Sequence, residues 1–107
     1  MITHVKGKLV EKNPTYVVVE CSGIGYHINI SLTTYDQIKN EENIFLYTHL
    51  QIKEDSHSLF GFFEISERSI FQLLISVSGI GPSVARTMLS SLSSNEIKNA
   101  ISSNDIE

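Results

Sequence analysis

The features of this sequence best suited to binding chemistry are the backbone amides around Gly79-Ile80-Gly81-Pro82. Apolar residues recur at helical spacing on both sides of this stretch, which predicts two helices joined by a short hairpin. The glycines can adopt backbone angles with φ > 0, and Pro82 suits the first position of a helix, where its missing N–H costs nothing. Free N–H groups at the positive end of a helix dipole form a site for a phosphate. Such a site contacts a nucleic-acid backbone whatever the base sequence.

Six residues of the hairpin and of the helix after it make up the predicted phosphate site: Gly79, Ile80, Gly81, Ser83, Val84 and Arg86. The alternative interpretation is a plain helix–helix turn, which for Gly-x-Gly alone is at least as common. The same tetrapeptide, Ser-Gly-Ile-Gly, occurs at residues 22–25, where the residues that follow alternate between apolar and polar and predict a turn between strands. Context therefore distinguishes the two copies. Neither is a dinucleotide-binding Gly-x-Gly-x-x-Gly motif, because in the second copy Val84 occupies the last position.

Glu54 and Asp55 form an acidic pair at the tip of a predicted hairpin. Paired carboxylates can hold a metal ion or act as acid and base, but both roles need converging partners, and the sequence identifies none. Taken by themselves they are best explained as a solvated acidic turn. The four histidines lack metal-ligand spacing, and the sequence contains no Walker loop, nucleophile elbow or zinc pattern. We therefore predict no catalytic residue, no metal site and no cofactor.

Phe45 and Tyr47 lie on one face of a predicted strand. Aromatic side chains on a barrel strand can stack on the bases of single-stranded DNA. The same spacing is also the normal signature of a second packed face of the strand, and packing is the interpretation that we favour.

The composition is that of a globular chain, since 41% of the 107 residues are hydrophobic and the formal net charge is −4. No apolar run approaches the roughly 18 residues that span a membrane, and the single cysteine fits a reducing cytosol, so we expect a cytoplasmic protein without a membrane segment. The negative charge counts against nucleic-acid binding, because basic residues normally supply affinity for phosphates. Residues 76–100 nevertheless carry Arg86 and Lys98 against Glu96 alone. Several copies acting together could therefore bind DNA, whereas a monomer should bind it weakly.

Two kinds of periodicity divide the chain. Through the first part, short alternating segments predict about five antiparallel strands with a small helix before the fourth, which suggests an OB-type Greek-key β-barrel. Here we expect a bulge or bend at Lys6-Gly7-Lys8, and Ile52 on the same side of its strand as Ile44, Leu46 and Leu50. The spacing then becomes helical, with Ser66 as the expected cap of the first helix. The predicted class is therefore α+β, with a barrel domain at residues 1–63 and a helical domain at residues 64–107.

Seven short motifs follow one another along the chain: Met-Ile-x-x-x-x-Gly at the start, Gly23-Ile24-Gly25-Tyr26, Thr33-Thr34-Tyr35, Lys53-Glu54-Asp55, Leu59-Phe60-Gly61-Phe62, Glu67-Arg68-x-x-Phe71 and Gly79-Ile80-Gly81-Pro82. In identity and order these motifs resemble the RuvA family, the DNA-binding subunits of the bacterial Holliday-junction branch-migration complex. The resemblance covers the whole chain, and several motifs in register make it far more specific than any one of them.

This resemblance implies a fold and a function. Family members carry an OB-type barrel and a domain with two helix-hairpin-helix motifs, of which residues 79–81 match the first, and they assemble as homotetramers on an open four-way junction. Glu54 and Asp55 match the acidic pin of the family, which lies near the tetramer axis and keeps the crossover open by repelling phosphates. The chain would then be a non-catalytic subunit in DNA recombination, repair and the SOS response. The implied partners are four-way junction DNA, a RuvB-type ATPase motor and a RuvC-type resolvase.

Two departures from the family pattern modify this expectation. Ser83 stands where relatives often have lysine, so one electrostatic contact with a phosphate is missing. Ser93 caps a predicted third helix, and residues 103–107 look like the beginning of a further helix. We therefore expect an N-terminal fragment that lacks the second hairpin motif and the domain that engages the motor. Such a fragment should bind junctions poorly and fail to recruit the motor.

Three other functions fit parts of the sequence. The first is a general single-stranded-DNA-binding OB protein, the second a metal-dependent nuclease that uses Glu54 and Asp55, and the third a protein-interaction scaffold. Preference for junctions over single strands, magnesium-dependent cleavage and salt-sensitive DNA affinity are the observations that separate them.

Overall fold

The computed structural model describes residues 2–38, 42–77 and 79–91. Within these ranges the elements are β1 (His4–Lys12), β2 (Tyr16–Cys21), β3 (Ile24–Asn29), α1 (Leu32–Gln37), β4 (Asn43–Lys53), β5 (Ser56–Phe62), α2 (Ile65–Ile75) and α3 (Pro82–Ser91). The third helix predicted after Ser93 lies outside the described residues.

The five strands close into a barrel in the order β1-β2-β3-β5-β4. β1 completes the barrel because it pairs antiparallel with both β2 and β4. The only parallel pair among these strands is β3 with β5, and it is short: Ile28 and Asn29 lie opposite Leu59 and Phe60. This topology, with α1 inserted between β3 and β4, is that of an OB-type Greek-key barrel. Because helices follow the barrel, the predicted α+β class is confirmed.

Alternate side chains of each strand point into the barrel, since successive residues of a strand face opposite sides of the sheet. Nine buried apolar residues form the barrel core: Val5, Val17, Val19, Ile28, Ile30, Ile38, Ile44, Leu46 and Leu59. Gly61 of β5 permits the closest packing in this core. A Cβ atom at Gly61 would lie 2.5 Å from Cγ2 of Ile28, so any larger residue there would displace a core side chain.

Two local expectations were wrong, and one apolar residue on the predicted side of β4 is not buried. The β-bulge of β1 follows Leu9, in the pairing with β2, whereas Lys6-Gly7-Lys8 pairs regularly with β4. Ile52 is 59% exposed, because it lies on the outer end of the β4–β5 hairpin and not above the core. The N-cap of α2 is Glu64 instead of Ser66, and the Glu64 side chain makes no capping hydrogen bond.

A second apolar core joins the helices directly to the barrel. It consists of Phe60 and Phe62 from β5, Ile70, Phe71 and Leu74 from α2, and Ala85 and Leu89 from α3. The Phe71 ring is central to it, with its centroid 5.1 Å from that of Phe60 and 5.0 Å from that of Phe62. β5 therefore contributes side chains to both cores.

Polar contacts from α1 fix the position of α3. The hydroxyl of Thr33 donates a 2.6 Å hydrogen bond to the carbonyl of Leu89, and the backbone N–H of Leu32 donates a 2.9 Å bond to the hydroxyl of Ser90. The short helix between β3 and β4 thus serves as the support on which the end of α3 rests.

Candidate nucleic-acid interface

The predicted hairpin between α2 and α3 is present and tightly turned. α2 ends at Ile75, and the N–H of Ile80 donates a 3.1 Å hydrogen bond back to the carbonyl of Val77. Gly79 has φ +91°, a backbone conformation that L side chains rarely adopt. The carbonyl of Gly81 accepts the first bond of α3, from the N–H of Ala85 at 3.0 Å. The tight turn therefore depends on glycine at position 79.

The N–H groups of Ser83 and Val84 precede the first internal donor of α3. Among the described residues neither of them donates a hydrogen bond, as is usual for the first turn of a helix. Both residues are exposed, and Cβ atoms built at Gly79 and Gly81 would meet no atom within 4 Å. The amides of Ser83 and Val84 therefore lie on exposed residues and have no acceptor among the described residues.

Two of the six predicted site residues have structural contacts of their own. The side chain of Ile80 packs against the second apolar core, and its N–H is bonded to the carbonyl of Val77, so neither is free to bind a phosphate. Arg86 donates a 3.1 Å hydrogen bond from Nη1 to the carbonyl of Thr15, in the turn between β1 and β2. Arg86 thereby fixes α3 to the barrel, and its remaining donors are those available to DNA.

The other Ser-Gly-Ile-Gly segment has a different structure. Ser22 and Gly23 have φ +52° and +85° and form a two-residue turn, with Cys21 and Ile24 paired directly across it. Two central residues with positive φ are the preferred connection of a β-hairpin. No helix follows, so this copy has no helix N-terminus.

A small groove of about 80 Å³ separates the start of α3 from the β4–β5 hairpin. Pro82 and Ser83 line one side, and Gln51, Lys53, Ser58 and Phe60 line the rest. Lys53 is therefore a cation close to the free amides of α3. Sequence reasoning does not single it out as a site residue, because nothing local indicates which element lies across the groove.

Glu54 and Asp55 form the turn between β4 and β5. Lys53 and Ser56 pair across the turn, and both Glu54 and Asp55 are exposed. The outer part of this hairpin, from Ile52 to His57, is exposed throughout, so the acidic pair is presented to solvent at its tip. Among the described residues no three histidine, cysteine, aspartate or glutamate side chains come together in a way that could hold a metal ion.

Glu67 is a buried carboxylate that sequence reasoning did not assign to the site. It accepts hydrogen bonds from the hydroxyls of Ser31, at 2.5 Å, and Thr34, at 2.7 Å, and is only 3% exposed. Burial raises the pKa of this carboxyl above its ordinary value of 4.5, while the two hydroxyl donors oppose the shift. Because Glu67 lies on α2, these bonds fix the first helix of the hairpin to α1 and its N-cap.

No helix in residues 2–38, 42–77 and 79–91 is long and apolar enough to cross a membrane.

Comparison with known proteins identifies relatives along the whole chain. Residues 1–61 match the family described as the RuvA N terminal domain. A protein of Christiangramia forsetii, named Holliday junction branch migration complex subunit RuvA, is 64% identical over 99% of this chain and 55% of its own length. Proteins of the same name from Flavobacterium psychrophilum and a Marinomonas species are 61% and 44% identical over 99% of this chain, and over 55% and 54% of their own lengths. The chain thus spans about half the length of these curated relatives.

Proposed function

The chain belongs to the RuvA family, and on this basis we propose that it is part of the junction-binding subunit of a Holliday-junction branch-migration complex acting in DNA recombination and repair. It binds the DNA backbone without sequence specificity and catalyses no reaction itself. The observation that carries this proposal is the proximity of the open hairpin to the acidic turn. Ser83 from the hairpin side and Lys53, next to Glu54, line one groove.

In this proposal the hairpin binds phosphates through its backbone. The N–H groups of Ser83 and Val84 point out of α3 at the positive end of its dipole, where an anion is stabilised. A hydrogen bond to a charged group contributes about 1.5–3 kcal/mol, and several act together on one duplex arm. Ser83 supplies no positive charge, and Lys53, which lines the same groove, is a cation that the hairpin can use.

The acidic turn acts by repulsion. Two like charges about 4 Å apart repel by about 1 kcal/mol in water and about 4 kcal/mol at an effective dielectric constant of 20. The carboxylates of Glu54 and Asp55 therefore direct the phosphates of the crossing strands away from the tip of the β4–β5 hairpin and keep the crossover open. Neither residue needs a metal ion or a proton transfer for this role.

We further propose that the subunit works as a homotetramer in the cytoplasm. A net charge of −4 gives one chain little attraction for DNA, whereas fourfold symmetry would apply the same weak contact to every arm of the junction. A RuvB-type ATPase motor, reached through a part of the subunit beyond this chain, would drive branch migration. A RuvC-type resolvase is the further candidate partner.

The repeated tetrapeptide provides a matched test. We would compare Gly81→Ala with Gly25→Ala by electrophoretic mobility on a four-way junction, a linear duplex and a single strand at low ionic strength. Alanine at position 81 meets no protein atom within 4 Å, and at position 25 its nearest neighbour is Cγ1 of Val18 at 3.6 Å, so both variants should fold. We expect Gly81→Ala to weaken junction binding by about tenfold or more, because the methyl group lies between the amides and the phosphate.

The proposal requires the Gly25→Ala variant to bind like the parent chain. Unchanged junction affinity in Gly81→Ala, or equal loss in both glycine variants, would contradict it. Sedimentation of the parent with and without junction DNA measures the proposed assembly directly.

A general single-stranded-DNA-binding OB protein is the alternative function. Such domains bind through strands 2 and 3 and the loops that follow strands 1 and 4. Here Arg86 bonds to Thr15 in the first of these loops, and Ser83 adjoins the hairpin that contains the second. Because α3 lies against both of these loops, the junction proposal is favoured.

A further inference from the structure

A larger groove, of about 410 Å³, lies on the outer face of the barrel along β1 and β4. It is lined by Lys6, Asn43, Ile44, Phe45, Tyr47 and Phe63, none of which belongs to the hairpin interface. Its volume lies in the range of about 300–1,000 Å³ that is usual for ligand clefts. This groove is therefore large enough for a nucleotide unit.

Two phenylalanine rings in this groove are open to solvent. Phe45 is 39% exposed and Phe63 is 41% exposed. The Phe45 ring is held in place by its neighbours: His4 stacks on it at 5.0 Å between centroids, and Tyr47 meets it edge to face at 5.1 Å. A ring that is already fixed loses little conformational freedom when a ligand stacks on it. Contrary to the packing interpretation of the sequence, Phe45 thus offers a free aromatic surface.

Lys6 is the one charged residue among those that line the groove. It lies directly opposite Phe45 in the β1–β4 register. The acids Glu42 and Glu64 adjoin the lining residues Asn43 and Phe63 in the chain, but neither lines the groove. Cations beside exposed aromatic rings are the combination that binds single-stranded nucleic acid, through phosphate and base respectively.

We propose that this groove binds single-stranded DNA. A base stacks on Phe45 and Phe63, the ammonium group of Lys6 pairs with the adjacent phosphate, and the side-chain amide of Asn43 reaches the base edge. A second copy of the chain is a poorer occupant, because the exposed apolar surface is limited to two rings and the one charged lining residue, Lys6, is a cation. The proposal does not rest on the proposed function, since it uses no residue of the glycine hairpin or of the acidic turn.

The test uses the 107-residue chain and a short fluorescent oligothymidylate, with binding followed by anisotropy at low ionic strength. Phe45→Ala should weaken binding about 5- to 150-fold, the effect of losing one stacked base, and Phe45→Tyr should retain it. Lys6→Glu should also weaken binding, and the slope of log K against log salt should fall in magnitude by about 0.7 for the lost phosphate contact. The control is Ile24→Ala, which removes an exposed apolar side chain on β3, outside the groove, and should bind like the parent.

Far-UV circular dichroism establishes that each variant is folded. A folded Phe45→Ala variant that binds the oligonucleotide within twofold of the parent would overturn the proposal. So would thymidine monophosphate binding as tightly as the oligonucleotide, which would indicate a free-nucleotide site. A loss of sedimenting mass in Phe45→Ala with unchanged DNA affinity would identify a self-association surface instead. Gly81→Ala should leave oligothymidylate binding intact, so the two proposals fail separately.

Discussion

Replacement of Glu67 tests how the helices are held on the barrel. Its carboxylate is buried and accepts bonds from Ser31 and Thr34, while the Ser31 oxygen also accepts the N–H of Thr34 as the N-cap of α1. The hydroxyl of Thr34 in turn accepts a 3.4 Å bond from the N–H of Phe63, at the start of the segment leading into α2. One carboxylate therefore connects α1, α2 and the end of β5.

The expected cost of Glu67→Ala follows from these contacts. Two hydroxyl donors lose a charged acceptor, at about 1.5–3 kcal/mol for each hydrogen bond, and the relief of carboxylate burial offsets part of that loss. We expect a net loss of about 2–4 kcal/mol in the free energy of unfolding, which is a large fraction of the stability of an ordinary domain. Glu67→Gln keeps the shape and one acceptor, so it should cost at most about 1.5 kcal/mol.

The pH dependence of stability in the parent chain and in Glu67→Gln gives a second test. Because burial raises the pKa of Glu67 in the folded state above 4.5, the folded protein binds a proton more tightly than the unfolded chain does. The stability contributed by Glu67 is therefore fully present below the unfolded pKa and is lost as pH rises through the folded pKa. Glutamine does not titrate, so the stability of the parent relative to Glu67→Gln should fall as pH rises from about 4 towards neutrality.

The assay is urea unfolding followed by far-UV circular dichroism at several pH values. Glu64→Gln is the control for stability, since Glu64 is the exposed N-cap of α2 and its side chain makes no capping bond, and it should change stability by less than about 0.5 kcal/mol. Because the charge of Glu64 also raises the pKa of Glu67, the pH comparison uses the parent and Glu67→Gln alone. Equal effects of the Glu64 and Glu67 variants would refute the reasoning. A parent that gains stability relative to Glu67→Gln as pH rises would refute it as well.

Substitutions at four further positions have defined outcomes. Gly61→Ala should lower the free energy of unfolding by about 1–3 kcal/mol, because its Cβ would lie 2.5 Å from Cγ2 of Ile28, and a stable variant in urea unfolding would contradict this. Gly79→Ala should lower the free energy of unfolding by about 1–2 kcal/mol through backbone strain alone. Gly23→Ala should lower it by the same amount, because the two glycines have similar positive φ values and equally open surroundings. Unequal thermal midpoints of the two variants would contradict this. Arg68→Ala should lower the free energy of unfolding by about 1 kcal/mol, because it removes the 2.8 Å hydrogen bond to the carbonyl of Thr3. Arg68→Lys should not restore that stability, because lysine lacks the flat guanidinium that lies over the Tyr47 ring. Chemical denaturation of the two variants measures both effects.

The barrel and the hairpin could be predicted because their signals are local. Tyr16–Cys21 alternates along the chain and forms β2 with the predicted bounds, since the period of a strand is a property of consecutive residues. The change to helical spacing after residue 63 likewise marks the entry into α2. The Gly-Ile-Gly-Pro segment specifies its turn for the same reason, because φ at Gly79 and the start of α3 at Pro82 depend on those residues alone.

Periodicity along a strand does not predict burial. Ile52 alternates correctly along β4, yet it is exposed because the hairpin extends past the neighbouring strands. Phe45 is exposed for a similar reason, as no element covers that face of β1 and β4 among the described residues. An alternating pattern identifies the two faces of a strand but does not indicate what lies against each.

What the amino-acid sequence determined by itself is therefore the set of elements, their order and the open glycine turn, because each arises from residues within a few positions of one another. What only the tertiary structure decided is which side chains meet. Ser31 and Glu67 are 36 residues apart and Thr15 and Arg86 are 71 apart, and no local pattern predicts either contact. The same holds for Lys53 beside Ser83, which brings a cation to the helix N-terminus only because α3 packs against the β4–β5 hairpin. Local physics sets the conformation of each segment, whereas the position of a charge relative to another segment depends on how both pack on the shared cores.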